Sequence, residues 1–300
     1  MTFALKESGA QHPRHPEWVK VRAPRGELFE KTRQVLQQQG LHTICREAAC
    51  PNIGECWGHR SASFLILGPI CTRKCAFCHV DHGRPQPIDP TEPERLAKAV
   101  AELQMRHLVV TSVDRDDLPD GGASHFVRVA EAIKMAAPQC SVEFLIPDFK
   151  GDVEAVRRVT KAPVEIIGHN IETVSRLYRT VRRGSDYERS LEVLRFIKEL
   201  NPRIKTKTGL MLGLGEEIEE VQAVWSDLRG VGCDILTLGQ YLQPSREELP
   251  VVRYVPPQEF ISLREEALRL GFSHVESGTF VRSSYRSWEQ VMEQAREPVL

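Results

Sequence analysis

Short apolar runs alternate with longer amphipathic runs from Ser63 onward, and this alternation limits the folds open to the chain. The short runs are rich in β-branched residues and predict strands, whereas the longer runs carry the 3.6-residue period of helices. Strands that alternate with helices pair in parallel through right-handed crossovers, which predicts an α/β fold. The six predicted strands are SFLILG, HLVVTSV, SVEFLIP, VEIIGHN, KTGLMLGL and DILTLGQYL.

The pattern alone leaves two architectures open, a doubly wound open sheet and a curved, barrel-like sheet. No G-x-G-x-x-G begins the first crossover, which disfavours a dinucleotide-binding version of the open sheet. In either architecture the functional residues lie at the carboxyl ends of the strands. Those ends carry Cys71, residues 111–117, Pro147 and Asp148, His169 and Asn170, residues 213–216, and residues 240–243.

We divide the chain into four predicted segments. Residues 1–25 are rich in His, Pro, Lys and Arg without an apolar period, and predict an extended or poorly ordered arm. Residues 26–62 hold an amphipathic helix that Gly40 ends, followed by the first cysteines. Residues 63–272 contain the alternating units, and residues 273–300 form a C-terminal extension with a short strand and a polar helix.

The charge balance and the number of cysteines limit where the protein can be located and what it can bind. With 40 Lys and Arg against 41 Asp and Glu, the formal net charge of −1 predicts no nucleic-acid or membrane partner. We find neither an apolar run of about 18 residues nor a secretory h-region, so we expect a cytoplasmic protein. In a reducing compartment its 8 cysteines indicate metal binding or catalysis before disulfides.

One cysteine triplet follows the first predicted strand directly. In GPICTRKCAFCHVDHG the residues Cys71, Cys75 and Cys78 have the spacing C-x3-C-x2-C. Three thiolates on one short loop can bind three corners of a cube-shaped iron-sulfur cluster and leave one iron open to a substrate or cofactor. A structural zinc held by these cysteines together with His79 or His82 is the alternative.

A second triplet precedes the first strand. Cys45, Cys50 and Cys56 in CREAACPNIGEC have the spacing C-x4-C-x5-C, which is too wide for a zinc knuckle. Two triplets so close in sequence therefore suggest two clusters. Cys140 and Cys233 lie beside apolar strands, and we expect them to be ordinary buried thiols.

The C-x3-C-x2-C loop with Phe77 before its third cysteine resembles the radical S-adenosylmethionine superfamily. Within it, the chain resembles the lipoyl synthase family from about residue 17 to residue 286. The motifs that carry this resemblance are EAACPNIGECW, FLILGPICTRKCAFCHVDHGRP, VVTSVDRDDLPDGGASHF, GHNIETV, GLMLGLGE, LTLGQYLQPS and FVRSSYR. The resemblance implies a partial (β/α)6 TIM-like barrel whose N- and C-terminal extensions carry an auxiliary iron-sulfur cluster.

The resemblance also implies two 4Fe-4S clusters and S-adenosylmethionine as cofactors. The implied ligands of the catalytic cluster, which cleaves S-adenosylmethionine to a 5'-deoxyadenosyl radical, are Cys71, Cys75 and Cys78. The implied ligands of the auxiliary cluster, which is consumed as the sulfur source, are Cys45, Cys50, Cys56 and a serine of the R-S-S-Y motif. Ser283 is the predicted fourth ligand, with Ser284 as the alternative. Without the resemblance these serines would be interpreted as residues at a helix start, since iron-sulfur clusters ordinarily take cysteine.

The implied reaction inserts two sulfur atoms at C6 and C8 of an octanoyl chain that is amide-linked to a lysine of a carrier domain. The implied carriers are the glycine-cleavage H protein and the E2 subunits of 2-oxoacid dehydrogenases. An electron donor such as ferredoxin or flavodoxin and an iron-sulfur carrier that rebuilds the auxiliary cluster are further implied partners.

Contacts to S-adenosylmethionine are expected at the strand ends and at the aromatic residue beside Cys78. For each of these residues, a loop or helix-cap role is the alternative. The predicted contacts are Phe77, Thr111, Ser112, Asn170, Glu172, Arg182, Gln240 and Leu242.

The chain departs from the usual family pattern at His79, Gly168 and Glu276. These changes leave every predicted ligand in place, so we expect them to affect carrier preference or efficiency more than the chemistry. Three other functions stay open at this point. They are a degenerate family copy that binds carriers or clusters without inserting sulfur, another sulfur-inserting or methylthio-transferring radical enzyme, and a zinc-stapled structural domain.

Overall fold

A computed structural model describes residues 15–21 and 23–294. Most of the predicted N-terminal arm, residues 1–14 together with Arg22, lies outside the described residues. The rest of the arm contains a turn at residues 17–18 and neither helix nor strand. No helix in the described part of the chain is long and apolar enough to cross a membrane.

Eight strands form one sheet whose spatial order is the order of the sequence. Strand β1 pairs antiparallel with β2, and β2 to β8 are all parallel. A doubly wound sheet reverses its strand order at a switch point, so the unbroken order identifies the barrel-like alternative. The strands are β1 His42–Thr43, β2 Ser63–Ile66, β3 His107–Ser112, β4 Ser141–Leu145, β5 Ile166–Gly168, β6 Lys205–Leu212, β7 Ile235–Gln240 and β8 His274–Gly278.

The sheet is a partial barrel. Among the described residues, β8 pairs only with β7 and β1 only with β2, so the sheet does not close on itself. This architecture is the predicted one, a partial TIM-like barrel with all six predicted strands in place. A two-residue strand has no period to detect, which explains why β1 was not predicted.

Helices connect the strands and flank the barrel. Gly40 follows the first helix in a left-handed conformation, with φ 57°, as the predicted helix end requires. The helices are α1 Glu27–Gln38, α2 Ile44–Glu47, α3 Ile53–Gly58, α4 Glu92–Glu102, α5 Ala123–Ala136, α6 Val153–Val159, α7 Tyr178–Val181, α8 Tyr187–Leu200, α9 Ile218–Gly230, α10 Pro257–Arg269 and α11 Ser287–Gln294.

The core fills both faces of the sheet, because its strands lie between helices and the barrel interior. Every residue of β2 and of β7 is buried, which is why their sequences are apolar without alternation. Cys140 and Cys233 are buried among these core residues, as predicted. The N-terminal extension joins the core through Phe29 of α1, which stacks on Trp57 of α3 at 5.3 Å between ring centroids.

The C-terminal extension contacts both the barrel and the N-terminal extension. The Ser287 hydroxyl at the start of α11 forms a hydrogen bond of 2.7 Å with Nε2 of His107, a buried residue at the start of β3. Four residues earlier in the chain, the extension passes the carboxyl ends of the strands. Tyr285 and Arg286 bond the Glu55 carboxylate of α3, at 3.2 and 3.1 Å.

Candidate active site

A cavity of about 770 Å³ opens at the carboxyl ends of the strands. Thiols of both cysteine triplets reach its wall, although the triplets come from different segments. The cavity therefore unites most of the residues that the sequence singled out. Those that line it are Cys45, Cys50, Cys71, Cys75, Cys78, Phe77, Thr111, Ser112, Asn170, Glu172, Arg182, Leu242 and Ser283.

The loop that carries Cys71, Cys75 and Cys78, which we call the C-x3-C-x2-C loop, folds back on itself beneath the cavity. The Cys71 amide donates to the carbonyl of Asp81 at 2.8 Å, and the Cys71 carbonyl accepts from the Gly83 amide at 2.9 Å. Further along, the Ala76 amide donates to the carbonyl of Val181, the last residue of α7, at 2.9 Å. These backbone bonds hold the three thiols at one side of the cavity.

Burial makes these thiols weak acids. It raises the pKa of Cys71 and of Cys78 to about 11, and the pKa of Cys75 to about 12. Metal ligands must be thiolates, so metal binding has to supply the stabilisation that the apolar surroundings withhold. Without a bound metal, the three thiols are therefore poor free nucleophiles.

The other triplet is held by two short helices. Cys45 lies in α2, Cys50 in the turn that follows, and Cys56 in α3. The Cys50 amide donates to the Cys45 carbonyl at 3.0 Å. All three line a small pocket beside the main cavity, and burial raises the pKa of each thiol, that of Cys45 to about 11.

The two serines of the R-S-S-Y motif face different neighbours. Ser284 lines the small pocket together with Cys45, Cys50 and Cys56, whereas Ser283 does not. The Ser283 hydroxyl instead accepts a hydrogen bond of 2.6 Å from Nδ2 of Asn170 inside the barrel. The geometry thus differs from the prediction that chose Ser283 over Ser284 as the fourth auxiliary ligand.

The donor sets fit clusters better than single ions. Zinc holds thiolates at about 2.3 Å, which puts neighbouring sulfurs of a tetrahedral site about 3.8 Å apart. Within the described residues, no three His, Cys, Asp or Glu side chains converge on one such ion position. A 4Fe-4S cluster takes one thiolate on each of several irons, so it tolerates ligands that are further apart. His79, a ligand in the zinc alternative, is bonded to Glu248 at 2.9 Å.

Two buried polar atoms on the cavity wall lack a partner in the described structure. They are the Ser112 hydroxyl and Oδ1 of Asn170. Buried polar groups are usually hydrogen-bonded, so an orphaned pair beside a cavity indicates a polar ligand there. This fits the predicted contacts to S-adenosylmethionine at both residues.

Glu172 is a buried acid with an unusual backbone. Its φ of 65° lies in the left-handed region, which residues other than glycine seldom adopt and which often marks functional sites. Burial raises the pKa of its carboxyl, opposed by the charge of Arg182 and by a hydrogen bond of 3.0 Å from Asn170. The side chain presents an acceptor to the cavity.

Arg182 supports the cavity wall through hydrogen bonds to neighbouring residues. Its Nη1 donates to the Asn170 carbonyl at 2.7 Å and to the Tyr178 hydroxyl at 2.9 Å. Ser190 accepts a further bond at 3.0 Å. The guanidinium therefore fixes the segment that carries Asn170 in addition to lining the cavity.

Gln240 does not lie on the cavity wall, contrary to the prediction that it contacts the cofactor. Its Nε2 donates to the carbonyls of Leu212 and Arg253, at 3.1 and 2.9 Å, and its Oε1 accepts from the Val255 amide at 2.7 Å. These bonds use the amide group to tie the end of β7 to the following loop. A strand-end position alone did not distinguish such a brace from a ligand.

The three departures from the family pattern have local partners. His79 pairs with Glu248, and Glu276 lies 3.6 Å from His274. A Cβ atom on Gly168 would lie 3.2 Å from the Lys207 carbonyl oxygen, so this position has little room for a side chain.

Sequence reasoning missed Arg73, which lies between Cys71 and Cys75. Its side chain is only 5% exposed, and it forms ion pairs with three aspartates from the ends of β3 and β4. The available signal was one arginine inside the cysteine spacing together with the carboxylates of VDRDD and IPD at neighbouring strand ends.

Comparison with known proteins agrees with this geometry. Residues 65–228 match the radical SAM superfamily, and residues 3–50 match the N-terminal domain of lipoyl synthase. The lipoyl synthase of Methylococcus capsulatus is 54% identical over 278 residues, 92% of this chain and 86% of that protein. The lipoyl synthase of Rubrobacter xylanophilus is 52% identical over 296 residues, 99% of this chain and 92% of that protein.

A solved structure shares the fold at low sequence identity. Methylornithine synthase superposes with a TM-score of 0.54 at 13% identity, covering 92% of this chain and 95% of that one. That likeness concerns the fold alone. The sequence identities above 50% to curated relatives, over nearly the full length of the chain, decide the family. The chain belongs to the lipoyl synthase family of the radical S-adenosylmethionine superfamily.

Proposed function

We propose that this chain completes lipoyl groups by inserting sulfur at C6 and C8 of an octanoyl-lysine on a carrier domain. The observation that carries the proposal is the single cavity reached by thiols of both triplets. Those carbons are unactivated, so no acid, base or nucleophile of ordinary pKa can remove their hydrogens. When bound, two 4Fe-4S clusters and S-adenosylmethionine supply the carbon-centred radical and the sulfur.

The roles of the cysteines follow from their positions. Cys71, Cys75 and Cys78 hold the cluster that binds S-adenosylmethionine, because they share one loop at the strand ends. The other triplet holds the auxiliary cluster. Its two short helices place that cluster beside the cavity, within reach of an octanoyl chain in the same space. The apolar part of the wall excludes water from the radical.

Ser284 is the fourth ligand of the auxiliary cluster in this proposal, in place of Ser283. The support is the position of Ser284 in the small pocket with the three cysteines. The Ser283 hydroxyl is instead hydrogen-bonded to Asn170. Alkoxide is a harder ligand than thiolate, so a serine can leave iron more readily when the cluster gives up sulfur.

The proposed contacts to S-adenosylmethionine differ in the chemical groups that they offer. Ser112 and Asn170 offer the unsatisfied polar atoms, and Glu172 offers a carboxylate to hydroxyl or ammonium groups. Phe77, Thr111 and Leu242 complete the wall, and Arg182 holds the segment of Asn170 in place.

The substrates of this activity are octanoylated lipoyl carrier domains. We propose the glycine-cleavage H protein and E2 subunits as carriers, ferredoxin or flavodoxin as electron donor, and an iron-sulfur carrier for cluster rebuilding. A cytoplasmic location is proposed on the same basis, since these partners work in a reducing compartment.

An anaerobic assay tests the proposed function. The reconstituted protein is mixed with S-adenosylmethionine, dithionite and an octanoyl-lysine peptide, and 5'-deoxyadenosine and thiolated peptide are followed by mass spectrometry. We expect both products, together with about eight iron per chain. Deoxyadenosine without thiolated peptide would instead support the degenerate copy, and a colourless zinc protein would contradict the proposal outright.

Paired variants test the serine assignment. Ser284→Ala is expected to lose the thiolated product and part of the auxiliary iron, while deoxyadenosine formation continues. Ser283→Ala is expected to keep its auxiliary iron. The reverse pattern would restore Ser283 as the ligand.

A further inference from the structure

The geometry points to Arg73 as a positioning residue that makes the C-x3-C-x2-C loop competent to hold its cluster. We infer that it does so by tying the loop to two strand ends and by neutralising the carboxylates beside Cys71. This inference rests on the proposed function of the loop, since it concerns how the loop is held.

Arg73 forms two bidentate ion pairs. Its Nε and Nη2 donate to the two carboxylate oxygens of Asp116, at 2.7 and 2.8 Å. Nη2 and Nη1 donate to the two oxygens of Asp148, at 2.7 and 3.0 Å. Asp116 follows β3, and Asp148 follows β4 and is completely buried. One side chain thus joins the loop to both strands.

The third carboxylate links Arg73 to a predicted ligand. Asp114 lies 3.4 Å from Nη1 of Arg73, and its other oxygen lies 3.8 Å from Sγ of Cys71. The Arg73 amide points at the same sulfur, with the nitrogen 3.4 Å away. Arg73 therefore contacts Cys71 through its backbone and through the aspartate beside it.

Charge balance explains why a cation is needed here. Without Arg73, the carboxylates of Asp114, Asp116 and Asp148 would lose their shared cation, and Asp114 lies beside the Cys71 sulfur. Among the described residues, Arg189 reaches the Asp148 carboxylate at 3.5 Å, and Lys150 donates to the backbone carbonyl of Asp116 at 3.0 Å, so neither bridges the carboxylates as Arg73 does. Like charges at short range in a buried site repel one another, so without Arg73 the three carboxylates would push the strand ends and the C-x3-C-x2-C loop apart and leave the thiols more accessible.

Lysine is not equivalent to arginine at this position. The planar guanidinium bonds two carboxylates with paired hydrogen bonds, whereas an ammonium group has no such fork. The aliphatic part of the Arg73 side chain passes close to Gly184, since a Cβ there would lie 3.4 Å from Cδ of Arg73.

The test compares Arg73→Gln, Arg73→Lys and Asp148→Asn with Arg115→Gln. Arg115 is also buried and pairs bidentately with Asp117 at the same end of the sheet, but within the described part of the chain its side chain bonds only Asp117 and the carbonyls of Leu67 and Gln86, outside the C-x3-C-x2-C loop. It therefore controls for the general loss of a buried ion pair.

Three readouts separate positioning from simple destabilisation. They are iron per chain after reconstitution, the electron paramagnetic resonance signal of the reduced protein with S-adenosylmethionine, and the alkylation rate of Cys71, Cys75 and Cys78 in the metal-free protein. For Arg73→Gln we expect about half the iron, faster alkylation of these thiols, and deoxyadenosine formation lowered about 10–100-fold. Arg73→Lys recovers part of the loss.

Normal iron, signal and alkylation rate in Arg73→Gln would overturn the inference. So would equal losses in Arg115→Gln. If Arg73→Gln does not fold, Asp148→Asn decides by the same three readouts, since it removes one bidentate pair and keeps the side-chain shape. A wild-type protein that makes no deoxyadenosine would instead contradict the proposed function itself.

Discussion

Asn52 donates a hydrogen bond of 2.6 Å from Nδ2 to the carbonyl oxygen of Phe280, a residue 228 positions later in the chain. This bond joins the N-terminal extension, between Cys50 and Cys56, to the segment that leads into Ser283 and Ser284. The segments that carry the proposed auxiliary ligands are therefore joined by a side chain that is not itself a proposed ligand.

Asn52→Ala should loosen this junction. The Phe280 carbonyl would lose its partner, and we expect the free energy of unfolding to fall by about 1–3 kcal/mol. Iron at the auxiliary site should fall, whereas deoxyadenosine formation should persist. Urea unfolding and iron analysis check this, with Gln222→Ala as the control because it removes an exposed hydrogen bond between α9 and α10. Unchanged iron would mean that the junction does not support the auxiliary site.

Gly239→Ala should displace the C-terminal extension from the barrel. A Cβ on Gly239 in β7 would overlap the carbonyl of Val281, and backbone cannot yield as a flexible side chain can. We expect loss of thiolated product with deoxyadenosine formation retained. Gly230→Ala is the matched control, because a Cβ there meets nothing within 4 Å, and it should be neutral or slightly stabilising. Equal product yields from both variants would contradict this prediction.

Trp57→Ala should weaken the attachment of α1 and α3. Trp57 is 1% exposed and stacks on Phe29, so its loss leaves a large cavity worth about 3–5 kcal/mol of unfolding free energy. Thermal and urea unfolding of the metal-free protein measure the effect without interference from clusters. Leu28→Ala changes an exposed residue of α1 next to Phe29 and should cost far less. A comparable loss in both variants would argue against a specific role of the stack.

Lys207→Met should destabilise the protein, because it leaves the buried Glu143 carboxylate without its cationic partner. Lys207 and Glu143 are each nearly inaccessible, and their side chains pair at 2.9 Å inside the barrel. Removing one partner of a buried pair typically costs about 3–5 kcal/mol. The double variant Glu143→Leu with Lys207→Met should recover most of the loss, because no lone charge remains.

The Lys207→Met deficit should also depend on pH. Burial raises the pKa of Glu143, and Lys207 opposes that rise, so the variant raises it further. The unfolded chain then loses its proton first, near the ordinary pKa of about 4.3. The contribution of Glu143 to the stability of the variant is therefore fully present below the unfolded pKa and is lost as pH rises through the higher folded pKa. Urea unfolding between pH 4 and pH 8 measures this, and a pH-independent deficit would contradict it.

Periodicity was sufficient for the strands but not for their arrangement. Apolar runs such as SFLILG reveal buried strands because both faces of this sheet are covered. Periodicity carries no information on strand order, so the barrel was predicted only through the family resemblance, and the strand pairing confirms it. The short helix α6 and strand β1 lack the length that a period needs.

At the site, residue type and spacing identified the thiols but not their supports. Gln240 ends β7 and Asn170 lies just beyond β5, yet the Gln240 amide is bonded to backbone groups and the Asn170 amide retains an unbonded oxygen on the cavity wall. Arg73 and Asp148 are 75 residues apart, so their contact is visible only after folding. The two serines are chemically identical, and only the path of the backbone separates them.

The bond between Asn52 and Phe280 has a consequence for biosynthesis. A ribosome adds roughly 5–20 residues per second, so the 228 positions between them take about 11 to 46 s to translate. Throughout that interval the nascent chain displays the first three thiols without the segment that closes over them. We therefore expect metal loading at the proposed auxiliary site to be completed only after the last strand has emerged.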